Sequence, residues 1–248
     1  MPALSVVLPC YNERGNLVEI LNRYRALRTA LDMELILVDN GSNDGSSEAL
    51  KELLAVPENT FARSVRVDRN QGYGFGLKSG LREAQGELIG FSHADLQCRP
   101  EDFIEADKLM RERGPARLLL KGRRRGFRPF PDRCVTFAYN GLSRVLLGLR
   151  AQAKTSDGDW IARTPDVNAE PKVFPRSLLA NVLQGPDDFT FDLFVLEAAR
   201  RSGFEIVEFD VSYEARRWGK SKLAANPWVR AKTSARAFRK LFGLRLSR

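Results

Sequence analysis

The chain has 248 residues, 43% of them hydrophobic, with a formal charge of +9 and a pI near 9.7; this is enough apolar matter for one substantial core. Three scattered cysteines (Cys10, Cys98, Cys134) and a single histidine, His93, exclude a zinc ribbon, a disulfide framework and any multi-histidine metal site, and fit a reducing cytosol. No window reaches the ~18 apolar residues of a membrane span, and Met1–Leu4 lacks the charged-then-apolar start of a signal peptide, so a cytoplasmic chain is expected.

Strand-length apolar runs alternate with helical spacing along the first half. Leu4–Leu8 reads as a buried strand and Leu17–Leu31 as a helix. Glu34–Val38 and Ser46–Leu54 repeat the pair, as do Ala62–Val67 and Phe75–Ala84. Leu88–Phe91 is a fourth strand, Glu101–Arg111 a helix and Arg117–Leu120 a fifth strand. Such alternation predicts an α/β fold, a mostly parallel sheet with helices on both faces. Ligands of such sheets bind beyond the carboxyl ends of the strands. Arg133–Leu149 follows as a long helix. Gln152–Val173 is mixed and turn-rich, Phe191–Arg201 is amphipathic, and Glu205–Val211 is a last strand.

The positive charge is not spread evenly. From Arg216 to Arg248 there are eleven Lys/Arg and no Asp/Glu, which leaves residues 1–215 at −2. Pro227 can open a final helix with Trp228, Ala231, Ala235, Phe238 and Phe242 on one face and Lys/Arg on the other. The expected organisation is a catalytic domain over 1–225 and a basic amphipathic tail over 226–248. A second cationic patch holds Lys121, Arg123, Arg124, Arg125, Arg128 and Arg133. Localised positive charge calls for an anionic partner. No nucleic-acid recognition motif accompanies it, so a phosphate or lipid surface is expected.

The chemistry-bearing residues fall at strand ends. After the first strand, Pro9-Cys10-Tyr11-Asn12-Glu13 offers a ring to stack on a base and a carboxylate to accept hydrogen bonds. After the second, Asp39 can meet a base N–H or serve as a turn carboxylate, while Ser42 or Asp44 can cap the next helix. Asn70–Gly76 is a glycine turn bringing a helix close to the sheet, and Lys78 can face a diphosphate. After the fourth strand, His93-Ala94-Asp95-Leu96-Gln97 sets nitrogen and oxygen donors two residues apart. Asp95 with Gln97 suits Mg²⁺ or Mn²⁺; the imidazole shifts preference toward Mn²⁺. His93 reads equally as a loop histidine that touches no metal.

In order, V-V-L-P-C-Y-N-E at 6–13, V-D-N-G-S-N-D-G-S at 38–46, G-L-K-S-G-L-R-E-A-Q-G at 76–86, A-D-L-Q-C-R-P-E-D at 94–102, G-R at 122–123, Arg133, and Arg216-x-x-Gly219-x-Ser221-Lys222-Leu223 make one set. The chain thereby resembles the inverting family-2 glycosyltransferases of the GT-A fold, and within them the dolichyl- or polyprenyl-phosphate mannose/glucose synthases. The resemblance implies that Pro9, Tyr11, Glu13 and Asp39 hold the nucleoside of a UDP- or GDP-sugar. It implies that Asp95 and Gln97 hold the metal, with His93 where the family usually has Asp. Arg216, Ser221 and Lys222 would meet the donor diphosphate, and Arg123 and Arg133 an acceptor phosphate. Asn40 replaces a second Asp, and Glu170-Pro171 replaces Gly-Phe.

A polyprenyl-phosphate acceptor is already an anion and needs no base. A saccharide hydroxyl, the alternative acceptor in surface polysaccharide or glycolipid assembly, needs one; Asp157, Asp159 and Asp166 are candidates, and the resemblance implies Asp166, since Asp166-x-x-x-x-x-Lys172-x-Phe174 keeps the outline of the family's motif. The tail suits an anionic bilayer surface, which puts the chain at the inner face of the membrane as a peripheral protein.

Overall fold

The computed structural model describes residues 1–125, 130–155, 158–214 and 238–239, with the backbone alone for 130–132. The strands are β1 (Leu4–Cys10), β2 (Met33–Asn40), β3 (Ala62–Val67), β4 (Leu88–Phe91), β5 (Leu118–Arg125), β6 (Ala151–Lys154), β7 (Trp160–Arg163), β8 (Lys172–Pro175) and β9 (Glu205–Ser212). The α-helices are α1 (Leu17–Leu27), α2 (Ser46–Leu54), α3 (Tyr73–Glu83), α4 (Asp102–Arg113), α5 (Phe130–Leu147), α6 (Leu179–Val182) and α7 (Phe191–Arg201). All nine strands form one sheet in the order β3-β2-β1-β4-β8-β5-β9-β6-β7. Pairing is parallel except where β8 runs against β4 and β5, and β7 against β6. The carboxyl ends of β1, β2, β4 and β5 therefore share one rim.

Side chains alternate across the sheet, and each face has its own core. Leu4, Val6, Leu8, Leu35 and Leu37 pack against α1, Leu50 of α2, and Phe103, Ala106 and Met110 of α4. Val7, Ile36, Val38, Ile89 and Phe91 pack against Leu77 and Leu81 of α3, Leu147 of α5 and the apolar face of α7. At Gly80 an added Cβ would lie 2.5 Å from side chains of both Val38 and Val7, so α3 reaches the sheet only because this residue is glycine.

Three expectations from the sequence change. The first helix stops at Leu27, not Leu31. The turn-rich stretch Gln152–Val173 contains most of β6, all of β7 and the start of β8. The fifth strand runs on through the basic patch to Arg125, because β9 supplies acids in register: Lys121 lies opposite Glu208 and Arg123 opposite Asp210. Lys121 and Glu208 are both fully buried and pair at 2.9 Å. Of the tail, Phe238 packs on the second core with its ring 5.5 Å from Tyr139 of α5, so that residue is committed to the body.

Asp102 opens α4 almost fully buried, and its Oδ2 meets no partner among the described residues. Burial pushes its carboxyl up from 3.8 to about 6, against the opposing pull of Arg99. The folded state thus holds this proton more tightly than the unfolded chain, and stability falls as pH rises from about 3.8 to 6. Asp102→Asn removes that loss. It is expected to stabilise the protein by about 1–2 kcal/mol at pH 7, an advantage that disappears below pH 4, in urea unfolding at the two pH values.

Candidate active site

Two loops at the rim are laced together. Asn12 sits in the left-handed region (φ 58°), which asparagine tolerates. Its N–H donates to Ser42 Oγ at 3.0 Å, and its Oδ1 accepts the Asn43 N–H at 2.9 Å. Arg14 N–H donates to Asp44 Oδ2, while Asp44 Oδ1 accepts the N–H and hydroxyl of Ser46 at the start of α2. The capping role expected of Asp44 is met. Tyr11 and Glu13 are half-buried on the same loop; Pro9, expected after the strand, is half-buried within β1, paired with Val38. Glu13 Oε2 accepts from Asn16 Nδ2 at 2.5 Å.

Asp39 is buried at the end of β2. Its Oδ1 accepts the Ser42 N–H at 2.9 Å, and its Oδ2 pairs with Arg66 Nη1 at 2.7 Å. Arg66, half-exposed, was not legible as a site residue because β3 carries it from 27 positions away. Asn40, the departure beside Asp39, donates from Nδ2 to the Gly72 carbonyl at 3.0 Å. A carboxylate there could not donate, so asparagine pins the glycine turn.

That turn does more than bring α3 to the sheet. A Cβ at Gly72 would lie 2.3 Å from the Asp187 carbonyl oxygen, and one at Gly74 2.1 Å from that of Pro186. The turn is docked backbone to backbone on the 185–190 loop, and Phe75 N–H donates to Asp187 O at 3.1 Å. Lys78 follows it: its Nζ donates to Gly185 O at 2.6 Å and pairs with Asp187 at 2.6 Å. The expectation that Lys78 faces a diphosphate is therefore corrected. It was drawn from helix position alone, and the partner loop lies over 100 residues away.

The motif after β4 is held from below and from the side. Leu96 takes φ 57°, a conformation that costs a non-glycine residue roughly 1–2 kcal/mol. Burying its side chain in the first core, worth roughly 1.5–3 kcal/mol, offsets that cost. Asp95, 6% exposed, accepts the Gln97 N–H at Oδ1 (3.1 Å). Gln97 donates from Nε2 to Glu214 O at 3.2 Å, and its Oε1 accepts the Tyr213 hydroxyl at 3.0 Å. Gln97 thus clips the motif to the chain just before Arg216, Ser221 and Lys222, which lie outside the described residues. His93 is half-buried against Tyr73, ring centroids 5.6 Å apart.

Among the described residues no group of three or more His, Cys, Asp or Glu could hold a metal ion. One buried carboxylate, one imidazole and the second lone pair of an engaged amide oxygen are too few for a resident cation. They fit Mg²⁺ or Mn²⁺ that arrives with a diphosphate, since such ions commonly use one or two carboxylates plus phosphate oxygens and water.

Beneath this motif lies a cluster the sequence did not announce. Lys172 Nζ donates to Glu170 Oε1 at 2.8 Å, Asp192 Oδ1 at 2.6 Å and Ala169 O at 3.2 Å, and all three side chains are buried. Lys172 sits opposite Phe91 in the β4–β8 ladder, its ammonium 5.4 Å from that ring. Glu170 is raised well above the usual carboxylate range by burial. Burial would raise Asp192 too, but Lys172 and a hydrogen bond with Glu170 hold it low.

The two arginines expected at an acceptor phosphate differ. Arg123 donates from Nε to Asp210 at 2.6 Å, while its Nη1 is buried with no acceptor among the described residues. Arg133 is exposed on α5. Asp166 accepts two bonds from Arg124, from Nε at 2.9 Å and Nη2 at 2.5 Å. Asp159 is exposed, and Asp157 lies outside the described residues.

A nine-stranded, mostly parallel sheet with an antiparallel strand beside the motif strand, and an acidic loop at the shared rim, defines the GT-A class of fold. The mannosyltransferase from Pyrobaculum calidifontis, in complex with GDP-Man and Mn²⁺, superposes with a TM-score of 0.65 at 20% identity, over 97% of this chain and 64% of that one. Glucosyl-3-phosphoglycerate synthase from Mycobacterium tuberculosis, in complex with Mn²⁺, UDP and glucosyl-3-phosphoglycerate, gives 0.67 at 20% identity, over 98% and 80%. Within that class, residues 5–126 match Glycosyl transferase family 2, and the chain carries that family's domain. The undecaprenyl-phosphate 4-deoxy-4-formamido-L-arabinose transferase of Pseudomonas fluorescens is 36% identical over 111 residues, 42% of this chain and 32% of the relative. That of Aeromonas hydrophila is 39% identical over 102 residues, 40% and 31%. The chain spans about a third of the length of these curated relatives.

Proposed function

We propose that this chain is an inverting, metal-dependent glycosyltransferase that moves a hexose from a UDP- or GDP-sugar to a polyprenyl phosphate. Tyr11, Glu13 and Asp39 receive the nucleoside at the laced loops, with Pro9 beside them near the end of β1. His93, Asp95 and Gln97 would hold the divalent cation, which when bound neutralises charge on the nucleoside diphosphate. Arg216, Ser221 and Lys222 give the departing diphosphate its cationic donors.

One observation favours a phosphate acceptor over a saccharide hydroxyl. The carboxylate best suited to act as base, Asp166, is locked to Arg124 by two charge-assisted bonds. A hydroxyl nucleophile needs a base there; a phosphate oxygen, anionic at pH 7, does not. Asp166 then positions Arg124, and Arg123, whose Nη1 has no acceptor among the described residues, orients the acceptor with the exposed Arg133. The undecaprenyl-phosphate transferases among the relatives support the same reading.

Peripheral attachment at the inner face of an anionic membrane completes it. The cationic tail over 226–248 is one support. The outer face of α5 is another: Phe137 and Val145 are 82% and 72% exposed, and from Arg133 onward the helix is charged only by Arg133 and Arg144. No helix among the described residues is long and apolar enough to cross a membrane.

Radiolabelled UDP- and GDP-sugars offered with Mn²⁺ to polyprenyl phosphate and to saccharides test the proposal. Label is expected in the lipid phosphate; label in saccharide alone would overturn the acceptor assignment.

A further inference from the structure

Beside the motif an aromatic ladder climbs out of the protein. His93 leans on Tyr73, and Tyr73 stacks nearly parallel on Phe189, centroids 5.5 Å apart and planes at 12°. Phe189 is nonetheless 53% exposed. Tyr73 stacks on one face of its ring, and about half of the residue stays open to solvent.

Single exposed apolar side chains are ordinary on mobile surfaces. This one is held in place by its loop. The 185–190 segment is fixed by Lys78 through Gly185 O and Asp187, by the Phe75 N–H on Asp187 O, and by the close backbone approach at Gly72 and Gly74. Asp188 Oδ1 takes both the N–H and the hydroxyl of Thr190 on the other side of Phe189. A rigid loop therefore presents an aromatic face to solvent, two ring contacts from His93.

We infer that Phe189 is the platform for the sugar ring of the donor, an assignment that rests on the donor-site reading of His93 and Asp95. A pyranose has one face of C–H groups, which an aromatic ring covers with dispersion and weak C–H contacts, while its hydroxyls point outward. A hexose joined to a diphosphate held at Asp95 has to project beyond the diphosphate. The ladder sets an aromatic ring two ring contacts from His93, held by its loop before the ligand arrives, so little ordering cost is left for binding. The nucleoside and the diphosphate have no part in this contact, so Phe189 discriminates sugar-bearing from bare nucleotides.

The test is calorimetric binding of UDP-glucose against UDP, and GDP-mannose against GDP, each with Mn²⁺, to the full chain and to Phe189→Ala, Phe189→Leu and Phe189→Trp. For the pair the wild type prefers, Phe189→Ala is expected to weaken the sugar nucleotide about tenfold and the bare diphosphate less than twofold, with Phe189→Trp close to wild type and Phe189→Leu close to Ala. Equal loss for both ligands would make Phe189 a support for the motif and overturn the assignment. So would an unchanged Phe189→Ala, or a leucine as good as tryptophan. A wild type that binds none of the four nucleotides would instead bring down the donor-site reading itself.

Discussion

Asp95→Ala is expected to lower the rate of sugar transfer about a thousandfold or more while leaving the fold intact. The Asp95 side chain accepts the short-range bond from the Gln97 N–H and spans no strand pairing, and urea unfolding of the variant should show the fold retained. Its chemical role is larger. In the proposed site Asp95 is the sole carboxylate of the His93–Gln97 motif, and stabilisation of a leaving diphosphate by a fixed charge partner is commonly the largest part of such catalysis. Mn²⁺-dependent binding of nucleoside diphosphate should disappear with activity in the same variant. His93→Asp, which restores the carboxylate usual at that position, should keep Mg²⁺-supported transfer at or above the wild-type rate. An Asp95→Ala protein with full activity would refute the metal site, and an inactive His93→Asp would make the imidazole itself indispensable.

Much of this site could be read from the chain because its residues cluster locally. Pro9–Glu13, Asp39–Asp44 and His93–Gln97 each follow an apolar run, and in a parallel sheet the ends of β1, β2 and β4 must meet on one rim. What could not be read is how the clusters hold one another. Asn12 meets Ser42 and Asn43 across about 30 positions, Gln97 meets Tyr213 across 116, and Lys78 meets Gly185 across 107. Hydrogen bonds at such separations leave no periodicity in the sequence. β8 was invisible for a related reason. It has four residues, one of them a buried lysine, and its antiparallel place between β4 and β5 is set by neighbours and not by its own pattern. The extension of β5 through five consecutive cationic and glycine residues needed Glu208 and Asp210 opposite it, and these lie in a strand more than 80 residues away.

Lys172 should be the most destabilising single position to neutralise. Its ammonium lies between two carboxyl groups, 2.8 Å from one and 2.6 Å from the other, in a site with no access to water. The charges balance only if one carboxyl is protonated. Burial raises Glu170 while Lys172 holds Asp192 low, so Glu170 is the carboxyl that takes up a proton first. Lys172 itself would be lowered by burial, but Asp192 and Glu170 raise it overall, so it remains charged. Lys172→Met keeps much of the volume and removes the cation, leaving Asp192 buried without its counter-charge. Removing one partner of a buried pair typically costs about 3–5 kcal/mol, and a loss of that size is expected in urea unfolding at pH 7.

The pH dependence should steepen with it, because in the wild type only Glu170 is raised by burial and costs stability as pH rises above about 4.5. In the wild type Asp192 is held below its unfolded value, so its contribution is present above about pH 3.8 and fades as pH falls through the lower folded value. In Lys172→Met both carboxyls are raised by burial, so the variant should recover more stability than the wild type as pH falls from 7 toward 5. Glu170→Gln, which replaces the carboxyl whose charged form burial disfavours, should cost no more than about 1 kcal/mol at pH 7. Because Lys172 lies directly opposite Phe91, two residues before His93, Lys172→Met should also loosen the rim, seen as faster amide exchange in residues 91–97. Equal denaturation midpoints for Lys172→Met and wild type, or a Glu170→Gln as damaging as Lys172→Met, would show that the charges are not shared in this way.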